Sequence, residues 1–131
     1  MDPKRILIID DEVAFTNLVK LNLEKTGRYA VRVEDNPAAA LTSGREFQPD
    51  LLLLDVIMPG RDGGQVLAEW HKDPDLGRVP ALFMTATMTQ RGIDQHQGTI
   101  HGMPFLAKPV EPKKLMRRID ELVALNGGQV S

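Results

Sequence analysis

Leu51-Leu52-Leu53-Leu54-Asp55 is apolar on every residue and then stops at a carboxylate. A strand with one wet face alternates polar and apolar side chains, so an unbroken apolar run reads as a strand covered on both sides, the situation of a parallel sheet interior. Working outward, Ile6-Leu7-Ile8-Ile9 ends in the same way at Asp10-Asp11, Leu82-Phe83-Met84 at Thr85, and Phe105-Leu106-Ala107 at Lys108-Pro109. Tyr29 to Val33 is a fifth run without such an ending. Stretches of helical period separate the runs, the pattern of repeated βα units. In an open parallel sheet the carboxyl ends of the strands share one rim, and ligands bind where strand order reverses. Three carboxylates, a hydroxyl and an ammonium are therefore expected to meet there.

The runs at 6 to 9, 51 to 54 and 81 to 84 belong in the centre of the sheet. Arg32 within the second run and Pro104 at the start of the fifth suit edge strands, because charge is tolerated there and proline removes a ladder donor. The expected fold is a single doubly wound α/β domain with a five-stranded parallel sheet ordered 2-1-3-4-5, the flavodoxin-like arrangement. Phe15, Leu18, Val19 and Leu23 mark the inner stripe of a first helix over about residues 13 to 25 that ends near Gly27. Asn36-Pro37 opens a short second helix that stops at Gly44. Asp62 caps a third, with Val66, Leu67 and Trp70 inward, before the turn Asp73-Pro74-Asp75. Glu111-Pro112 begins the last helix, which buries Leu115, Ile119, Leu122 and Val123 and leaves Lys113, Lys114, Arg117 and Arg118 wet. Asn126-Gly127-Gly128 reads as a stop, giving one domain over residues 1–126 and a tail over 127–131.

With 131 residues there is room for one domain with a real core. A net charge of -2 gives no electrostatic reason to expect nucleic acid or an anionic membrane as a direct partner. The absence of cysteine excludes disulfides and thiolate metal sites. The apolar part of the amino terminus is too short for a signal peptide, and no run approaches the roughly 18 apolar residues of a membrane helix. A soluble cytoplasmic protein is the expectation.

Clustered carboxylates repel, and one of them takes up a proton unless a cation compensates. Oxygen donors suit Mg²⁺, which binds one or two carboxylates and a phosphate oxygen while keeping several waters. His71, His96 and His101 show no metal spacing and read as surface residues. With a cation in place a carboxylate can act as nucleophile toward a phosphoryl group. Asp55 is the candidate, since it ends the most buried run and precedes a loop, 56 to 60, able to fold over the pocket. Lys108 would then meet one phosphoryl oxygen and the Thr85 hydroxyl another. Taken singly, Asp10, Asp11 or Asp55 reads equally well as a cap or turn former, Thr85 as an ordinary strand end and Lys108 as a loop lysine. Their joint occurrence at four strand ends shifts the balance.

The set Ile9-Asp10-Asp11-Glu12, Leu53-Leu54-Asp55-Val56-Ile57-Met58-Pro59-Gly60-Arg61-Asp62-Gly63, Met84-Thr85-Ala86 and Lys108-Pro109 resembles the response-regulator receiver domain of two-component signalling, over about residues 4 to 125. The resemblance implies a phosphoacceptor rather than an enzyme in the usual sense. Its partner would be a histidine kinase or phosphotransfer protein, whose phosphohistidine supplies Asp55. Mg²⁺ would be held by Asp10, Asp11, Asp55 and the backbone carbonyl of Ile57, with Lys108, Thr85 and Ala86 on the phosphoryl group. The Lys108-Pro109 bond would be cis. Phosphorylation would draw Thr85 inward and let Phe105 rotate, altering the surface of the fourth helix, fifth strand and fifth helix, where an unidentified target protein docks. Phe105 reads equally as a core residue with one position. Ile57 and Thr87 stand where family members carry tuning groups, and neither is a strong acid or base, which implies a long-lived phosphoryl group.

Two other classes fit less well. A phosphatase of the haloacid-dehalogenase type wants a second acid two residues after its nucleophile, and position 57 is isoleucine. A flavodoxin-like cofactor binder needs a phosphate-cradling loop where Asp10-Asp11-Glu12 would repel phosphate. A receiver-like interaction module that works without phosphorylation stays open.

Between Thr87 and Phe105 the chain holds Gly92, Gly98 and Gly102 and few apolar residues beyond Ile93 and Ile100. Each interior glycine costs about 0.5–1 kcal/mol relative to alanine, so the fourth helix is expected to be short or easily deformed. Amide hydrogen exchange over residues 89 to 98 should be faster than in the first or fifth helix, and equal protection would refute the expectation.

Overall fold

A computed structural model describes residues 2–58, 61–86, 88–95, 99–100 and 103–128. Its sheet holds five parallel strands, β1 (Lys4–Ile9), β2 (Tyr29–Glu34), β3 (Leu51–Asp55), β4 (Ala81–Thr85) and β5 (Met103–Ala107), in the order 2-1-3-4-5. Two short additions lie outside that frame. Thr99–Ile100 pairs antiparallel with the start of β5, setting Thr99 opposite Pro104, and Ile57–Met58 forms a small antiparallel ladder with Arg61–Asp62.

The all-apolar strands bury both faces, and the period of two in a strand divides their side chains. Ile6, Ile8, Leu51, Leu53, Leu82 and Met84 pack on one side with Val19, Leu23, Leu115 and Ile119. That side is covered by α1 (Val13–Glu24) and α5 (Pro112–Gly128). Leu7, Ile9, Leu52, Leu54, Ala81 and Phe83 pack on the other with Ala40, Val66, Leu67 and Trp70. There the cover is α2 (Ala40–Phe47) and α3 (Gly63–Lys72).

Several caps act as the sequence requires. Asn36 accepts a hydrogen bond from the Ala38 N–H at the head of a 3₁₀ turn, Pro37–Ala39, that leads into α2. Asp62 and Gln65 exchange side-chain and backbone hydrogen bonds at the start of α3. Gly27, with φ +76°, turns the chain after α1. The fourth helix, α4 (Gln90–Asp94), is five residues long and capped by Thr89.

Three expectations are corrected. In α1 Thr16, Val19 and Leu23 are buried and Phe15 packs partly buried against the same core, while Leu18 is 57% exposed, because the sheet-facing stripe runs 16-19-23 and Leu18 lies off it. The last helix does not stop at Asn126 but runs through Gly128. The second helix does not end at Gly44 but continues to Phe47, where Gln48 takes the left-handed cap at φ 53°. Gly44 instead lies where α2 packs directly on Trp70 of α3, since a Cβ there would stand 2.6 Å from Cζ3 of Trp70. His71 is exposed in the last turn of α3; Pro59, Gly60, Thr87, His96, His101 and the chain beyond Gly128 lie outside the described residues. No helix among the described residues is long and apolar enough to cross a membrane.

Gly44→Ala weighs two effects against each other. Helix propensity favours alanine by about 0.5–1 kcal/mol. Overpacking against the fully buried Trp70 ring costs about 1–3 kcal/mol, and the ring has no room to yield. A net loss of about 1–2 kcal/mol in urea unfolding is expected, whereas a neutral or stabilising substitution would contradict this packing.

Candidate functional site

The register of the sheet brings the strand ends together. Ile9 lies opposite Leu54, so Asp10 and Asp55 leave adjacent strands side by side. Asp55 lies opposite Met84, and Thr85 opposite Ala107, so Thr85 and Lys108 follow on the next strands at the same level. Backbone bonds continue the ladders past the strands: the Asp10 N–H donates to the Glu34 carbonyl, Val56 to Met84 and Lys108 to Thr85.

Carboxylate oxygens of Asp10, Asp11 and Asp55 lie within 4.8 Å of one another. Asp10 is fully buried, Asp55 is 6% exposed and Asp11 faces solvent. The Asp10 Oδ1 accepts a hydrogen bond from the Glu12 N–H at 2.9 Å. Its buried Oδ2 meets the Lys108 Nζ at 2.7 Å but in no well-aligned hydrogen bond. Lys108 also donates to Glu12 Oε1 at 2.6 Å, stands 3.5 Å from Asp55 Oδ1, and lies over the Phe15 ring at 4.6 Å from its centre. The Lys108-Pro109 bond is cis.

Four acids around one ammonium leave negative charge uncompensated, and Asp55 registers it. Burial first, then the neighbouring charge of Asp10, push its carboxyl up to about 6, against the downward pull of Lys108. Burial works against the charge of Lys108, but Asp10 and Glu12 outweigh it and hold the ammonium above its ordinary range. Oxygen-only donors, one of them a buried oxygen lacking an aligned hydrogen bond, fit a hard divalent cation.

Thr85 is 3% exposed at the rim and Ala86 follows it into solvent. Ile57 lies two residues past Asp55 in the short ladder opposite Asp62. Phe105 is half-buried and stacked on Phe83, with ring centres 5.0 Å apart, so it occupies an inward position against the α2 and α3 side. Asp10, Asp11, Asp55, Ile57, Thr85, Ala86 and Lys108 thus lie at or beside one rim, with Phe105 two residues below the end of its strand.

Contacts not legible in the sequence complete the site. Glu12 and Phe15 reach Lys108 from the start of α1. Gly63 sits under the Asp55 backbone, where a Cβ would stand 2.5 Å from the Asp55 carbonyl oxygen. Gln90 of α4 accepts from the Ala107 N–H through its Oε1 and donates through Nε2 to Asp94, which pairs with Lys114 of α5. The only hint of these in the chain was the acidic run at 10 to 12 and a glycine opening α3.

Residues 6–120 match the model of the response regulator receiver domain family. Protein PilH of Pseudomonas aeruginosa is 32% identical over 123 residues, which cover 92% of this chain and 98% of that protein. The DNA-binding dual master transcriptional regulator RpaA of Synechocystis is 32% identical over 124 residues, 91% of this chain but 48% of the regulator, so the chain spans about half the length of that relative. Among solved structures, the Mn²⁺-bound form of response regulator Rcp1 matches with a TM-score of 0.63 at 28% identity, over 91% of each chain.

The raised Asp55 carboxyl sets a pH dependence. A proton binds Asp55 more tightly in the folded state than in the unfolded chain, so the stability this group contributes is complete near pH 4 and lost as pH rises through about 6. In chelator-treated protein, the stability advantage of Asp55→Asn over the wild type should grow by about 1–2 kcal/mol between about pH 5 and about 7.5. An advantage that stays constant over that window would contradict the assignment.

Proposed function

This chain belongs to the response regulator receiver domain family of two-component signalling, and we propose that it accepts a phosphoryl group on Asp55 from the phosphohistidine of a partner kinase or phosphotransfer protein. The observation that supports this reading best is the placement of the Asp55 carboxylate, buried at the rim between two acids and an ammonium 3.5 Å away. A structural carboxylate in such a place would be neutralised by its partners; this one is kept short of them.

In the proposed transfer a carboxylate oxygen of Asp55 attacks phosphorus and forms the new O–P bond. The N–P bond of the donor breaks with its electron pair left on the imidazole nitrogen. Such a transfer is accelerated by position and charge neutralisation far more than by proton movement. Lys108 would turn toward one phosphoryl oxygen, and the Thr85 hydroxyl and Ala86 N–H toward others. Mg²⁺, held by Asp10, Asp11, Asp55 and the Ile57 carbonyl, would supply positive charge against the phosphoryl oxygens when bound. The solved structure of Rcp1 is a Mn²⁺-bound form, which supports a divalent cation as the partner of these acids.

The output would follow from charge. An acyl phosphate carries close to two negative charges where the carboxylate carried one, at a rim already short of cations. Thr85 would shift toward it, and Phe105, now stacked on Phe83, would follow. The surface of α4, β5 and α5, tied together through Gln90, Asp94 and Lys114, would then present itself differently to a protein target.

Incubation with Mg²⁺ and a small phosphodonor should add the mass of one phosphoryl group to the intact protein, and Asp55→Asn should abolish the gain. A wild type that gains nothing, or a variant that gains as much, would replace this reading with an interaction module that works without phosphorylation.

A further inference from the structure

The Lys108 ammonium is held at close range by two acids of the β1–α1 segment, Glu12, which accepts a hydrogen bond at 2.6 Å, and Asp10, ion-paired at 2.7 Å. The Phe15 ring from the same segment lies beside the ammonium at 4.6 Å. Asp55, the proposed phosphoacceptor, is left with the longest contact at 3.5 Å. A phosphoryl group on Asp55 therefore meets an ammonium already drawn toward those two acids, and brings it closer at the expense of their contacts.

The two are not equally ready to yield. Asp10 is completely buried and cannot exchange its lysine for water without a desolvation penalty. The Glu12 side chain is 57% exposed, so its carboxylate is resolvated as soon as the lysine leaves. The lysine side chain itself is only 7% exposed, and so the contact is not a freely moving surface pair.

We infer that Glu12 is a positioning residue that competes with the phosphoryl group for Lys108, so that releasing its ion pair limits how firmly the modified site is held. The inference rests on the phosphoacceptor role of Asp55. Glu12 acts in two ways at once. It occupies a donor of Lys108, and its charge opposes any anion brought to the rim. Toward a cation the same charge is favourable, so removing it should shift the two ligand classes in opposite directions. A merely structural role would weaken both.

The test uses beryllofluoride, a phosphoryl mimic, titrated in saturating Mg²⁺, with Mg²⁺ alone titrated separately. Glu12→Gln should bind the mimic about two- to fivefold more tightly than wild type and bind Mg²⁺ more weakly. Glu12→Asp keeps the charge but is too short to reach Lys108, and should tighten the mimic relative to wild type but by less than Glu12→Gln. Unchanged or weaker mimic binding in Glu12→Gln, or wild-type behaviour in Glu12→Asp, would overturn the inference.

A readout without any phosphoryl mimic separates this from failure of the functional reading. In the unliganded protein the Lys108 ammonium protons, followed by NMR, should exchange with water about two- to fivefold faster in Glu12→Gln than in wild type. Equal exchange overturns the clamp itself. Faster exchange in a protein that binds no beryllofluoride overturns the phosphoacceptor role and the competition with it.

Discussion

The ion pair between Lys108 and Asp10, 2.7 Å long and sealed from solvent, is the contact on which the rim is built. It joins the end of β1 to the residue after β5, across the two strand ends that carry Asp55 and Thr85. Its weakness is numerical, because a single ammonium serves Asp10, Glu12 and, at longer range, Asp55. The opposite end of the sheet shows the contrast. There Asp120 of α5 accepts from Lys4, Arg28 and Tyr29 together, so that one acid has three donors and its carboxyl is held below the ordinary range although burial opposes this. One end of the molecule is closed electrostatically, and the other is left open to a cation and to an added anion.

That imbalance explains why the strands are so uniformly apolar. A rim that keeps several acids close together is costly, and the cost is offset by the two-sided burial of Ile6 to Ile9, Leu51 to Leu54 and Leu82 to Met84. Gly63 belongs to the same economy of space. It lets the start of α3 lie against the Asp55 carbonyl, so the carboxylate is fixed from below by backbone.

The strands, their order and the meeting of Asp10, Asp11, Asp55, Thr85 and Lys108 were legible because each depends on local pattern or on a rule about parallel sheets. The caps at Asn36 and Asp62 were legible for the same reason, since a side chain there bonds to its own helix. What could not be read depends on distant partners. Gly44 has the chemistry of a helix stop, yet it is buried in mid-helix because Trp70, 26 positions later in the chain, needs the space. Leu18 fits the helical period as well as Val19 does, and only the docking of α1 on the sheet leaves it outside. Glu12 looked like one more acid in a run, and its reach to Lys108 exists only once β1 and β5 are in place.

The account stands on one claim, that the acids of two chain segments form a single cation site beside Lys108. Titrating the protein with Mn²⁺ and following paramagnetic broadening of backbone amide signals tests it directly. Broadening should begin at residues 10 to 12, 55 to 57, 85 and 108 together, at one concentration, and spare the Asp120 end of the sheet. Broadening that starts at scattered surface acids such as Glu46 or Glu121, or that reaches Asp10 and Asp55 at separate concentrations, would contradict the claim.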